Sequence, residues 1–161
     1  KAGLRVKLDD SDQSPGWKYA QYEMKGVPLR LEIGPRDIEN GNCVLVRRDN
    51  REKTVVALDN LVESTQQMLK DFAKAIYEKA KANLEGNITP AHNIQEMKDI
   101  LQKRVGFVKA MWCGDEHCEE VIKNETGMPS RCIPFEQENI DDVCPVCGKP
   151  AKYMVIFGIA Y

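Results

Sequence analysis

Four cysteines at two short spacings carry the most specific chemistry in this sequence: Cys113-x4-Cys118 and Cys144-x2-Cys147. Two such thiol pairs, brought together from the two sides of a loop, can close a tetrahedral site around one Zn²⁺. A glycine follows a cysteine of each pair, Gly114 after Cys113 and Gly148 after Cys147, where the backbone has to turn to bring amides near the sulfurs. Four sulfur ligands leave no open position for a substrate, so the site is read as structural. Two disulfides are the other use of an even cysteine set. With 6 Cys in 161 residues the chain is not disulfide-dense, however, and nothing in it resembles a signal peptide. A redox or metal-storage role is the remaining reading of these thiols. His117 lies next to Cys118 and is read as a bystander, Cys43 opens an apolar run as a small buried hydrophobe, and Cys132 has no partner at metal-binding spacing.

The elements that must position these residues read as α/β. The periodicity predicts two helical turns over Trp17–Lys25, strands over Val27–Ile33, Cys43–Arg48 and Lys53–Leu58, and a single turn of helix over Arg36–Asn40. A long helix follows from Leu61 to Gly86, capped by Asp59 or Asn60 and carrying the stripe Leu61, Met68, Leu69, Phe72, Ile76, Tyr77, Ala80 and Leu84, which is expected to be core. Residues 87–90 read as a turn, Asn93–Arg104 as a shorter amphipathic helix, and Gly106–Trp112 and Tyr153–Ala160 as strands leading into the first cysteine pair and out of the second. Lys1–Lys7 reads as the end of a helix running into a strand, with Gly3 as a helix stop and Leu4, Val6 and Leu8 alternating. The expected organisation is two small domains, residues 1–85 and 86–161.

The formal net charge of −2 argues against indiscriminate nucleic-acid binding, but charge is unevenly placed. Residues 1–58 hold 11 Lys and Arg against 9 Asp and Glu, while residues 106–161 hold 5 against 9. A nucleic-acid partner would therefore meet the N-terminal part. No apolar stretch has membrane-spanning length, no membrane partner is expected, and a cytoplasmic location is expected.

Residues 15–54 carry a further signal. The strings Pro15-Gly16-Trp17-Lys18 and Glu23-Met24-Lys25-Gly26-Val27-Pro28-Leu29-Arg30-Leu31-Glu32-Ile33-Gly34-Pro35-Arg36-Asp37 closely resemble the anticodon-binding domain of the prolyl-tRNA synthetase family. Arg131-Cys132-Ile133-Pro134-Phe135, the cysteine spacing and the closing Ile159-Ala160-Tyr161 resemble the zinc-containing C-terminal domain found in one branch of that family. The resemblance implies a mixed-sheet class II anticodon-binding domain followed by a small zinc-containing α/β domain. It also implies that a first strand, part of a first helix and a catalytic domain using ATP and Mg²⁺ lie outside this sequence. The partners it implies are proline tRNA, the protein's own catalytic domain and a second copy bound through that domain; a non-catalytic accessory protein reusing the anticodon-binding fold is the alternative.

Anticodons for proline end in two guanines. The positions that match the family's anticodon-reading residues are Glu23, Arg30, Asp37 and Lys53, two carboxylates and two cations, which suits a base edge presenting N–H donors beside an O6 acceptor. Arg36, Arg47 and Arg48 are candidate phosphate contacts, and Trp17 and Tyr22 either stack on bases or pack in the core. The resemblance further implies that Tyr161 is the natural terminus and that its carboxylate lies near the aminoacylation site.

Overall fold

A computed structural model describes residues 2–103 and 106–159. Lys1, Arg104, Val105, Ala160 and Tyr161 lie outside the described residues, and with them the expected role of the terminal carboxylate. The chain forms two compact units, residues 1–80 and 81–161, which part inside a long helix.

The first unit is built on a meander of three antiparallel strands, β1 (Leu29–Glu32), β2 (Asn42–Arg47) and β3 (Lys53–Ala57). Alternation along the strands sends Cys43, Leu45 and Val56 to one face, where they form the buried core with Leu58, Leu61 and Met68. The last two belong to α3 (Leu61–Gly86). The helix α1 (Pro15–Met24) starts at Ser14, whose hydroxyl accepts the Trp17 amide at 3.4 Å, with Pro15 at the first helical position where a missing N–H is harmless. The five-residue α2 (Pro35–Glu39) links β1 to β2.

In this unit the N-terminal segment and the stripe of α3 differ from expectation. The described part of the N-terminal segment forms neither helix nor strand: Val6 and Leu8 are 84% and 80% exposed, and alternation without a hydrogen-bonded neighbour does not make a strand. The stripe of α3 is core only in its first turns. Phe72 is its one buried residue, while Ile76, Tyr77 and Leu84 are exposed. The reason is length: 26 helical residues run about 39 Å, whereas strands of at most six residues span about 20 Å.

The second unit holds a four-stranded mixed sheet in the order β4-β5-β7-β6. Its strands are β4 (Ile88–Pro90), β5 (Phe107–Trp112), β6 (Ser130–Cys132) and β7 (Tyr153–Gly158). The segment read as a turn at residues 87–90 is thus β4, which pairs parallel to β5 after a crossover through α4 (Ile94–Lys103). One face packs Val108, Ala110, Val155 and Phe157 against Met97 of α4 and Ile122 of α5 (Glu116–Thr126). The other face, with Met111, Met154 and Ile156, is covered by Ile140 and Ala151 from the irregular stretch 133–152. That stretch is tied down by Gln137, whose side chain donates to the Pro134 carbonyl and accepts the Met154 amide at 2.7 Å each, by Lys109 to Glu138, and by His92 to Asp141 at 3.1 Å. Among the described residues the sheet of the first unit is antiparallel throughout, and the mixed sheet is that of the second.

Candidate nucleic-acid interface and metal centre

The register of the first sheet decides what its second face displays. Arg30, Val46 and Lys53 are Cα partners across the three strands, and Glu32, Val44 and Val55 form the next row on the same face. Tyr19, Tyr22 and Glu23 of α1 line a slot with Arg30 and Val46 at one end of this face, while Val55 is left 66% exposed.

A chain of charges runs across it. Arg30 donates from Nε to Glu32 Oε1 at 2.8 Å and from Nη1 to Glu23 Oε1 at 3.1 Å, and its guanidinium lies 3.7 Å from the centre of the Tyr19 ring. The second oxygen of Glu32 accepts from Lys53 Nζ at 3.3 Å, and Arg51 approaches the second oxygen of Glu23 at 3.7 Å. Three of the four expected anticodon-reading residues, Glu23, Arg30 and Lys53, therefore stand in one network. Asp37 does not join it; it sits in the first turn of α2, where its Oδ2 accepts the Gly34 amide at 2.8 Å. Sequence reasoning overlooked Glu32, which holds both cations, and Tyr19, which stacks under one of them. The spacing Arg30-x-Glu32 in a strand, which places both on one face, was the available signal.

The candidate phosphate residues differ from one another. Arg47 is held by a two-pronged pair with Asp49, Nε to Oδ1 at 3.0 Å and Nη2 to Oδ2 at 2.7 Å, which keeps the Asp49 carboxyl below the usual range and raises Arg47. Arg48 lies 5.5 Å from the Phe72 ring, and its Nε is buried with no hydrogen-bond partner among the described residues. Arg36 is exposed on α2. Trp17 is half exposed rather than core, and the Tyr22 ring lies between Lys7 and Lys25 at 5.4 and 5.6 Å.

In the second unit Cys113 directly follows β5, Cys118 falls in the first turn of α5, and Cys144 and Cys147 bracket a tight hairpin closed by a bridge between Val143 and Pro150. The α5 helix was not foreseen. Its N-cap is Asp115, accepting the His117 amide at 3.0 Å, and Gly127 ends it at φ 74°. Gly114 and Gly148, at φ 89° and 67°, make the turns that other residues resist. In the hairpin the Gly148 amide donates to the Cys144 carbonyl at 3.0 Å and the Cys144 amide to the Lys149 carbonyl at 2.9 Å.

The four ligand sulfurs lie within 4.8 Å of one another, and none of the six cysteines is in a disulfide. Burial pushes the thiols of Cys118 and Cys113 up, whereas a hydrogen bond from the Lys149 backbone holds Cys147 down to about 7. Four crowded thiols with no cation among them cannot all ionise, and one divalent ion resolves that conflict. The group can hold a metal ion; His117 is exposed and is not a member of it.

Comparison with known proteins agrees with both halves. The family model described as "Anticodon binding domain" matches residues 1–68, and that described as "Prolyl-tRNA synthetase, C-terminal" matches residues 94–161. The chain is 54% identical over 158 residues to the proline–tRNA ligase of Clostridium botulinum (strain Okra / Type B1), covering 98% of this chain and 33% of that protein. It is 53% identical over 160 residues to that of Ruminiclostridium cellulolyticum, covering 99% and 34%. The crystal structure of prolyl-tRNA synthetase from Cryptosporidium parvum complexed with L-proline and AMP superposes with a TM-score of 0.92 at 40% identity, covering 99% of this chain and 34% of that one. The chain spans about a third of the length of the curated relatives it matches. With the two domain matches in order and the likeness running along its whole length, the chain corresponds to the C-terminal part of prolyl-tRNA synthetases, an anticodon-binding domain followed by the C-terminal domain.

Proposed function

We propose that this chain reads the anticodon of proline tRNA on behalf of a proline–tRNA ligase. The observation that carries this reading is the charged, partly open face of the first sheet, where carboxylates and cations alternate at hydrogen-bonding distance. A guanine edge, with N–H donors beside an O6 acceptor, can exchange into such pairs without leaving either charge unpartnered. Glu23, Arg30, Asp37 and Lys53 are the readers, with Asp37 acting from α2, apart from the network of the other three. Arg36 is the phosphate contact best placed of the three arginines, since Arg47 and Arg48 are already engaged by Asp49 and Phe72. The likeness to ligases along the whole chain disfavours the accessory-protein reading.

The whole protein would join proline to its tRNA with ATP and Mg²⁺, in the cytoplasm, through a catalytic domain that also pairs two copies. No helix of the described residues is long and apolar enough to cross a membrane. The ion at the four cysteines is Zn²⁺ in a structural role. Sulfurs bound tetrahedrally at ~2.3 Å lie ~3.8 Å apart, and Cys113 and Cys147 already stand 3.7 Å apart.

Arg30→Ala in the full-length ligase tests the reading. The expected outcome is a loss of about tenfold or more in kcat/KM for proline tRNA, with little further loss when the anticodon guanines are replaced. Discrimination against altered anticodons that survives Arg30→Ala intact contradicts it.

A further inference from the structure

We propose that Glu32 is a specificity-determining residue of this interface, acting as a positioning residue that withholds Arg30 and Lys53 from RNA phosphates and releases them to a guanine edge. The inference rests on the anticodon-reading function above and adds a residue to it.

Glu32 is the only group in the network that holds both cations. Its Oε1 takes Arg30 Nε at 2.8 Å and Nη2 at 2.8 Å, and its Oε2 takes Lys53 Nζ at 3.3 Å. Because Arg30 and Lys53 are in register through Val46, one carboxylate on the neighbouring row spans them. Tyr19 under the guanidinium and Glu23 on Nη1 fix the remaining freedom of Arg30. The groups facing this point are the cations Arg30, Arg51 and Lys53 and the carboxylates Glu23 and Glu32. Without Glu32 three cations face a single carboxylate, which is the composition of an indiscriminate phosphate site.

The two ligands treat Glu32 differently. A phosphate offers only acceptors: it can take Arg30 and Lys53, but it leaves the Glu32 carboxylate without a donor and close to another anion. A guanine brings two adjacent N–H donors together with O6, so it can insert between carboxylate and cation and leave both partnered. Glu32 thereby penalises backbone contact and tolerates the base.

The test uses the 161-residue chain and two labelled RNA hairpins, one with two guanines in the loop and one with adenines in their place, titrated by fluorescence anisotropy at several salt concentrations. For Glu32→Gln the expected result is about threefold tighter binding of the adenine hairpin at low salt and a salt slope steeper by roughly 0.7, the signature of one added phosphate contact on a single strand. The preference for guanine should fall about tenfold. Glu32→Asp, which keeps the charge, should retain weak adenine binding. In an Arg30→Ala/Lys53→Ala background, Glu32→Gln should not change the preference further. A Glu32→Gln variant that weakens both hairpins in parallel, or that keeps the preference of the parent, overturns the proposal, as does an added effect in the double-alanine background. Arg30→Ala alone separates the two claims. If it leaves the preference untouched, the anticodon reading itself fails; if it abolishes the preference while Glu32→Gln does not, only the role of Glu32 fails.

Discussion

The sheet of the first unit has one face under α3 and the other partly open, whereas the sheet of the second is covered on both faces. The open face carries Arg30, Glu32 and Lys53 in a hydrogen-bonded chain with Glu23 of α1, while one covered face of the second sheet carries Met111, Met154 and Ile156. On the proposed reading, the difference separates a surface that exchanges partners from a scaffold that keeps them. It also shows where a bound metal ion would be of use. The second unit has the larger core, but one of its faces is closed by the irregular stretch 133–152 rather than by a helix. A loop of that length without regular structure has few backbone bonds of its own and loses much entropy on closing. A metal ion held by the four sulfurs would tie it, at Cys144 and Cys147, to the residue after β5 and the start of α5, as a four-sulfur clamp.

The largest expected break in this comparison is at the clamp. Cys144→Ser, or chelation of the metal, should expose residues 133–152 to rapid amide hydrogen exchange and destabilise the second unit by more than a core truncation does, while protection over residues 42–57 is kept. Loss of protection in both units together would show that the clamp is not local. Next come truncations in the cores: Phe157→Ala, at a residue 1% exposed, should cost about 3–5 kcal/mol, and Leu45→Ala, also 1% exposed, about 2–5 kcal/mol, each read by denaturant melting. Lys53→Ala should move selectivity instead of stability. It should reduce the preference for a guanine loop by about 1–3 kcal/mol in hairpin titrations and leave the melting midpoint almost unchanged, since Lys53 is largely exposed. The smallest effect concerns Asp49. Arg47 lowers its folded pKa, so the pair stabilises the fold above the ordinary carboxylate pKa and loses that contribution as pH falls through the lowered value. Asp49→Asn should therefore be less stable than the parent by roughly 0.5–1 kcal/mol at pH 7, with the two melting curves converging in acid.

Much of this was legible from the residues. The cysteine spacing marked the clamp, and the alternating and helical patterns placed β1, β2, β3, β5, β7, α1, α3 and α4 to within a few residues. What escaped was non-local or crowded by another signal. β4 reads as a turn because Asn87 and Pro90 punctuate it, and only pairing with β5 makes it a strand. β6 is three exposed residues whose pattern says nothing without β7. The charged run Glu116–Glu120 hid α5, although Asp115 and Gly127 are its cap and stop. In the candidate interface, Glu23, Arg30 and Lys53 were named through the family resemblance and not from charge or spacing, the place of Glu32 depends on which strands lie beside it, and the engagement of Asp37 with Gly34 depends on how α2 begins.

The central claim is that the first unit meets RNA and the second braces. Titration of the isotopically labelled chain with the guanine-loop hairpin, followed by amide and side-chain NMR shifts, tests it most directly. The account predicts saturable shifts at Glu23, Arg30, Glu32 and Lys53, with the amides of residues 106–159 unmoved. Shifts centred on the cysteine clamp, or shifts at Arg30 that are the same size with the adenine hairpin, would contradict it.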